Sequence, residues 1–182
     1  MSMKNNTDIC ISTEDSWFRY RTAAIIIEDG KMLFVTSKNT AYYYTVGGAV
    51  NIGEKAETCV EREVFEETGV HFEVDRLCAI CENFFIGKEG SVLGKKCQTI
   101  ELYFLMKPRS LPCSSEQKTQ LESLSINQLG DTEELVWIPL EELSVNDIKP
   151  EFIKTRLEEI LKSDRILHIL NEDPDFASKR TC

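Results

Sequence analysis

Residues 48–70, GAVNIGEKAETCVEREVFEETGV, constrain the fold more than any other part of the chain, because they read as a helix with acids on its packing side. The expected helix runs from about Glu54 to Thr68 and is closed by Gly69, a residue suited to the left-handed position after a helix. On a wheel at about 100° per residue with Ala56 at zero, Val60, Val64 and Cys59 fall near 40°, 80° and 300° and define an apolar face. Glu67 and Glu63 fall near 20° and 340°, inside that face, and Glu66 near 280° at its border. Glu57 and Glu61 point to solvent. Glu63 and Glu67 are also a like-charge pair one turn apart, which destabilises an isolated helix.

Burying such carboxylates uncompensated costs several kcal/mol. Spaced at i, i+3 and i+4, they form an oxygen cage suited to a hard divalent cation, Mg²⁺ or Mn²⁺. Gly47-Gly48 lets the backbone approach closely and lend a carbonyl. Arg62 can reach Glu54 across the start of the helix, or Glu66 one turn on. Spacing alone leaves a solvated acidic helix as an equal alternative, since Glu is a good helix former.

The surrounding pattern is α+β. FRYRTAAIII and KMLFVTS flank Glu28-Asp29-Gly30-Lys31, a strong hairpin signal. AYYYTV leads into the glycines; further strands are expected over about His71–Phe85, Gln98–Met106 and LVWIPL. PEFIKTRLEEILK, with Ile153, Leu157, Ile160 and Leu161 on one side, reads as a second amphipathic helix. Residues 1–16 read as a loose N-terminal segment, 17–162 as the domain, about 108–133 as a polar insertion, and 163–182 as one strand followed by a tail.

With 21 Lys+Arg against 31 Asp+Glu, the net charge is −10 and the pI near 4.8. That argues against general binding to nucleic acid or an anionic membrane. A phosphorylated small substrate stays compatible, provided a cation or local basic groups offset the repulsion. No apolar run approaches a membrane span, and the N-terminus lacks a signal-peptide core, so a cytoplasmic location is expected. Seven scattered cysteines make a disulfide framework an unsuitable reading. Cys78-Ala-Ile-Cys81 sits in an expected strand, where i and i+3 point apart, and has no second ligand pair for zinc.

Gly48, Glu54, Arg62-Glu63-Val64, Glu66-Glu67 and Gly69-Val70 resemble the Nudix hydrolase signature, G-x5-E-x7-R-E-U-x-E-E-x-G-U with U a bulky aliphatic residue, at every fixed position. The flanks agree: a hairpin precedes Val46-Gly47-Gly48, and WIPLEEL resembles the strand-to-helix segment late in these domains. The resemblance spans Trp17 to Leu161. It implies a Nudix fold, a mixed β-sheet sandwiched between α-helices, and a Mg²⁺- or Mn²⁺-dependent hydrolase. Such an enzyme cleaves the pyrophosphate linkage of a nucleoside diphosphate joined to another moiety. The alternative is a catalytically silent Nudix-fold module that senses a nucleotide; such modules usually lose the signature glutamates.

Carried over position by position, the resemblance assigns the metal to Glu63, Glu66 and Glu67 with the Gly48 carbonyl nearby. It gives Glu54, Arg62, Gly48 and Gly69 structural roles. The group that orients or deprotonates the attacking water is not fixed by the signature: Glu66 or Glu67 can serve, and the other possibility is Glu101 or a carboxylate between Asp131 and Glu134, such as Glu134. Arg19 and Arg21, two apart on one strand face, are candidate phosphate ligands, with a solvent-facing stripe as an equal alternative. Tyr42, Tyr43 and Tyr44 offer either a stacking surface or packing; a homodimer stays open. The proline of the ADP-ribose subgroup is missing from the stretch Asn83–Ile86, and the NADH and coenzyme A marks are absent too, so no substrate subclass is assigned.

Overall fold

The computed structural model describes residues 7–38, 40–88, 90–108 and 132–178. Its strands form two mixed sheets rather than the single one expected. The first has the order β1 (Cys10–Ser12), β2 (Ser16–Ile25), β7 (Lys96–Pro108), β6 (Phe72–Ile86) and β10 (Leu167–Glu172). Pairing is antiparallel for β1/β2 and β6/β7, and parallel for β2/β7 and β6/β10. The second sheet is built on β4 (Lys31–Ser37), paired along its length with β8 (Glu133–Pro139) and at its other edge with β3 (Ile27–Glu28) and β5 (Tyr43–Tyr44). β9 (Ile148–Lys149) extends that edge.

The long apolar run ending in Ile25-Ile26-Ile27 serves both sheets: β2 stops at Ile25, and the Ile26 carbonyl accepts the Leu33 N–H as the chain enters the second sheet. The hairpin that follows turns through Asp29 and Gly30 at φ 48° and 74°, the two left-handed residues of a type I′ turn. Helix α1 (Ala56–Thr68) packs Val60 and Val64 against Ala24, Ile26, Leu33, Val35 and Phe104. Gly69 ends it at φ 70°, its N–H donating to Phe65 O. Helix α2 (Phe152–Lys162) packs Phe152, Ile153, Leu157 and Ile160 on the opposite side of the first sheet, against Ala23, Ala79, Cys81 and Tyr103. Each sheet face is thus covered, and the functional segment lies where α1 meets the seam between the sheets.

One expectation about the ends is corrected, and the other holds for its strand but not for the tail after it. The N-terminal segment is tied down from Thr7: Ile9 donates to Val50 O, Ile52 to Thr7 O, and β1 pairs with β2. The C-terminal segment supplies β10 to the first sheet and continues into a short helix, α3 (Pro174–Ser178), whose Phe176 meets Phe84 at 5.4 Å. Polar sequence hid the N-terminal pairing, because backbone groups carry it, whereas the C-terminal strand is expected and only α3 is not. Most of the polar insertion, 109–131, lies outside the described residues. The described cysteines are free, and no described helix is long and apolar enough to cross a membrane.

Candidate active site

The strand-like segment 46–51 runs beside β2, with Thr22 N–H donating to Gly48 O and Ala24 N–H to Val46 O. A side chain at Gly47 would run into the β2 backbone, and one at Gly48 would displace the Glu63 carboxyl. A Cβ on Gly47, at φ 142°, would lie 2.2 Å from Thr22 O, and one on Gly48 would lie 2.3–2.5 Å from the Glu63 carboxyl. Glycine therefore lets α1 bring Glu63 flat onto the loop, while the Gly47 N–H donates to Glu67 Oε1 at 3.3 Å.

Arg62 ties the loop to the helix. Its Nε and Nη2 donate to the two oxygens of Glu54 at 2.9 and 3.0 Å, and its Nη1 to Glu63 Oε1 and Glu66 Oε2 at 2.7 and 2.9 Å. Nη2 also meets Ala49 O. Glu54 in turn accepts from the Asn51 N–H. The Arg62 hydrogen bonds hold the Glu54 carboxyl down at about 2. Arg62→Ala leaves Glu54 and Glu63 without their cation, and is expected to cost on the order of 2 kcal/mol of folding stability and to weaken metal binding. Denaturant melts and Mn²⁺ titration check this; wild-type values for both would reduce Arg62 to a surface residue.

The helix wheel places its acids as observed. Glu67 is 8% exposed, Glu63 is half-buried and Glu66 lies toward solvent. Burial first, then the neighbouring Glu133 charge, pushes the Glu67 carboxyl up to about 8. Burial also raises Glu63, partly offset by Arg62. Among the described residues no three donor side chains stand in a finished metal shell: Arg62 draws Glu63 and Glu66 together, and Glu67 turns to Gly47. Glu63 Oε2, Glu66 Oε1 and Glu67 Oε2 nevertheless accept no hydrogen bond from the described residues. That donor set, oxygen-only, anionic and partly desolvated, fits Mg²⁺ or Mn²⁺. The Gly48 carbonyl already accepts from Thr22 and keeps one lone pair for such an ion.

The acids proposed for the attacking water fare differently. Glu134 is exposed and points away from Glu67. Its neighbour Glu133, on the other face of β8, is 9% exposed, accepts the Tyr44 hydroxyl at 2.5 Å and acts electrostatically on Glu67. Alternation along β8 is decided by pairing with β4, where Ser37 faces Glu133 and Thr36 faces Glu134, and that pairing is invisible in the sequence. Asp131 lies outside the described residues. Glu101 is 3% exposed with both oxygens engaged, Oε1 by Thr99 Oγ1 at 2.6 Å and Oε2 by Tyr103 OH at 2.5 Å. It is an anchored carboxylate, held from both sides by Thr99 and Tyr103.

Arg21 pairs across to Glu101 in register and donates from Nη2 to Gly47 O at 3.3 Å; its enclosed Nε has no hydrogen-bond partner among the described residues. Glu101, Glu67 and Glu63 all act to hold its charge. Arg19 is half-buried, 4.0 Å from Asp8, and within electrostatic reach of Glu63. The two arginines thus flank the glutamates from β2.

An α+β scaffold that turns an acidic helix face toward a glycine loop at the seam of two sheets defines the class. The NUDIX domain model matches residues 18–160, and the chain belongs to that family. A MutT-like protein of Streptomyces ambofaciens is 29% identical over 109 residues, covering 60% of this chain and 61% of its own length. Among solved structures, the MutT protein of Bacillus halodurans is similar in fold, with TM-score 0.56, 21% identity, and coverage of 87% of this chain and 92% of that one. A UDP-X diphosphatase is similar with TM-score 0.52, 16% identity, and coverage of 84% and 66%. The chain therefore spans less than two thirds of the length of the MutT-like relative and of the UDP-X diphosphatase.

Proposed function

We propose that the chain is a Mg²⁺- or Mn²⁺-dependent pyrophosphohydrolase acting on a nucleoside diphosphate linked to another moiety. One observation carries the reading. Glu67 is a buried carboxylate beside two further acids, Glu63 and Glu133, in a protein of net charge −10. Such a cluster opposes folding and repels an anionic substrate unless a cation joins it.

Glu63, Glu66 and Glu67 would hold that cation, with Gly48 O beside them. When bound it supplies charge neutralisation of the phosphates and a more acidic water. Glu133, fixed by Tyr44, orients the attacking water from the opposite sheet. Arg19 and Arg21 bind the phosphate oxygens from β2, and Arg62 keeps the loop and the helix at a fixed separation. The partner is a small phosphorylated nucleotide, and the cytoplasm is the compartment the reading implies.

Turnover is expected to cease in EDTA and to return with excess Mg²⁺ or Mn²⁺. Steady-state assays on a nucleotide panel check it, and hydrolysis that persists in chelator overturns the assignment.

A further inference from the structure

From Arg19, a proposed phosphate ligand, the sheet register continues into a row of polar residues that the proposed chemistry does not use. Arg19 pairs with Thr99, Thr99 with Asn83, and Asn83 with Asn171, so these four lie side by side on one face across β2, β7, β6 and β10. The next row toward the core is Arg21, Glu101, Cys81 and Ile169; the row toward the open end is Trp17, Cys97 and Phe85. Trp17 and Phe85 meet edge-on at 6.5 Å. Along β6 and β10 the face thus changes from the buried Cys81 and Ile169 through the polar Asn83 and Asn171 toward an aromatic rim at Trp17 and Phe85.

Hydrogen bonds fix the direction of the band. Glu101 can only accept, so Asn83 must turn its Nδ2 toward Glu101 Oε1, at 3.4 Å. Asn83 Oδ1 then accepts from Asn171 Nδ2 at 2.7 Å. Asn171 Oδ1 has no hydrogen-bond partner among the described residues, and its second N–H is also uncommitted. A half-buried amide is thereby held in one orientation with an acceptor and a donor open. It stands three strand spacings, about 14 Å, from Arg19. With Arg19 and Asn171 each reaching inward by a side chain, a nucleotide bridges such a gap from its phosphate to the hydrogen-bonding edge of its base.

We propose that β10, which lies beyond the residues matched by the family model, completes the substrate site, with Asn171 reading the edge of the substrate's nucleobase. The proposal rests on the pyrophosphohydrolase reading for where the phosphates lie. Base edges present an adjacent donor and acceptor, which an oriented amide pairs and a flexible one does not discriminate. Asn83 is the positioning residue, since it touches Asn171 and Glu101. The aromatic rim gives the base a flank to stack on.

The test is steady-state kinetics with Mg²⁺ on ADP-, GDP-, CDP- and UDP-sugars and on ribose 5-diphosphate, which has no base. Calorimetric binding of the four nucleoside diphosphates accompanies it. Wild type should prefer one base at least tenfold. In Asn171→Ala the kcat/KM for that base, taken relative to ribose 5-diphosphate, should fall at least tenfold, through KM with kcat little changed. Asn171→Asp keeps the size but turns both amide N–H donors, the one bound to Asn83 included, into acceptors, and should reorder the bases; it also decides the matter if the alanine variant fails to fold. Equal losses on nucleotides and ribose 5-diphosphate, or an unchanged order of bases, would overturn the proposal. If wild type hydrolyses nothing, the enzyme reading fails, and the binding data still decide this one: base-dependent affinity that is lost in Asn171→Ala supports it, and base-independent affinity refutes it.

Discussion

Glu67→Gln is expected to lower turnover at least about a hundredfold while raising the melting temperature of the metal-free protein. Gln keeps the shape and still accepts the Gly47 N–H, but it removes a charge that burial and Glu133 oppose. The sign follows from linkage. The ordinary carboxyl value is 4.5, and the folded value is about 8. Between those pH values the unfolded chain has released its proton and the folded chain has not, so metal-free wild type loses stability as pH rises from 4.5 to 8. Below that window Glu67 contributes no pH dependence, and the Gln variant has none from this position anywhere. The variant should therefore gain on the order of 1–3 kcal/mol near neutral pH. Mg²⁺ should raise the wild-type melting point, and the variant's much less. A variant that melts below wild type in EDTA would mean that Glu67 is held by a structural partner.

Glu133→Gln against Glu134→Gln separates two adjacent acids by the face each occupies. Glu133 is buried against Tyr44 and acts on Glu67, whereas Glu134 is exposed. Loss of Glu133 is expected to reduce kcat by about 10²–10⁴-fold, the range for a group that handles the reacting proton, with KM changed little. Glu134→Gln should stay within about twofold, as surface substitutions away from a site do. Comparable losses in both would return the role to the strand end as a whole; a loss confined to Glu134 would refute the assignment.

What the sequence made legible was local. The 3.6-residue period of α1 is set by the backbone alone, so the wheel put Glu67 and Glu63 inside and Glu57 and Glu61 outside before any tertiary contact was known. The Asp29-Gly30 turn and the Gly69 cap were legible for the same reason: each demands a left-handed backbone that few residues supply. The face of a strand is different. EELVWIP gives a period of two but no phase at its polar end, and only the pairing of Ser37 with Glu133 shows which glutamate turns inward. Asn83 and Asn171 are 88 positions apart and gave no signal. They become neighbours because β10 crosses beside β6, a pairing made by backbone groups that every residue carries. Glu101 looked like a free acid on a strand and proved to be the anchor of that polar band, because its partners Thr99 and Tyr103 lie two residues to either side on the same face.

The measurement closest to the central claim is phosphorus NMR of the wild-type protein with nucleoside diphosphate-linked compounds, run with Mg²⁺ and with EDTA. Cleavage would replace the coupled pyrophosphate doublets with monophosphate singlets in Mg²⁺ only, at a rate that Glu67→Gln suppresses. Intact doublets in Mg²⁺ alongside calorimetric binding of the same compounds would contradict it, and would make this fold a nucleotide-sensing module rather than an enzyme.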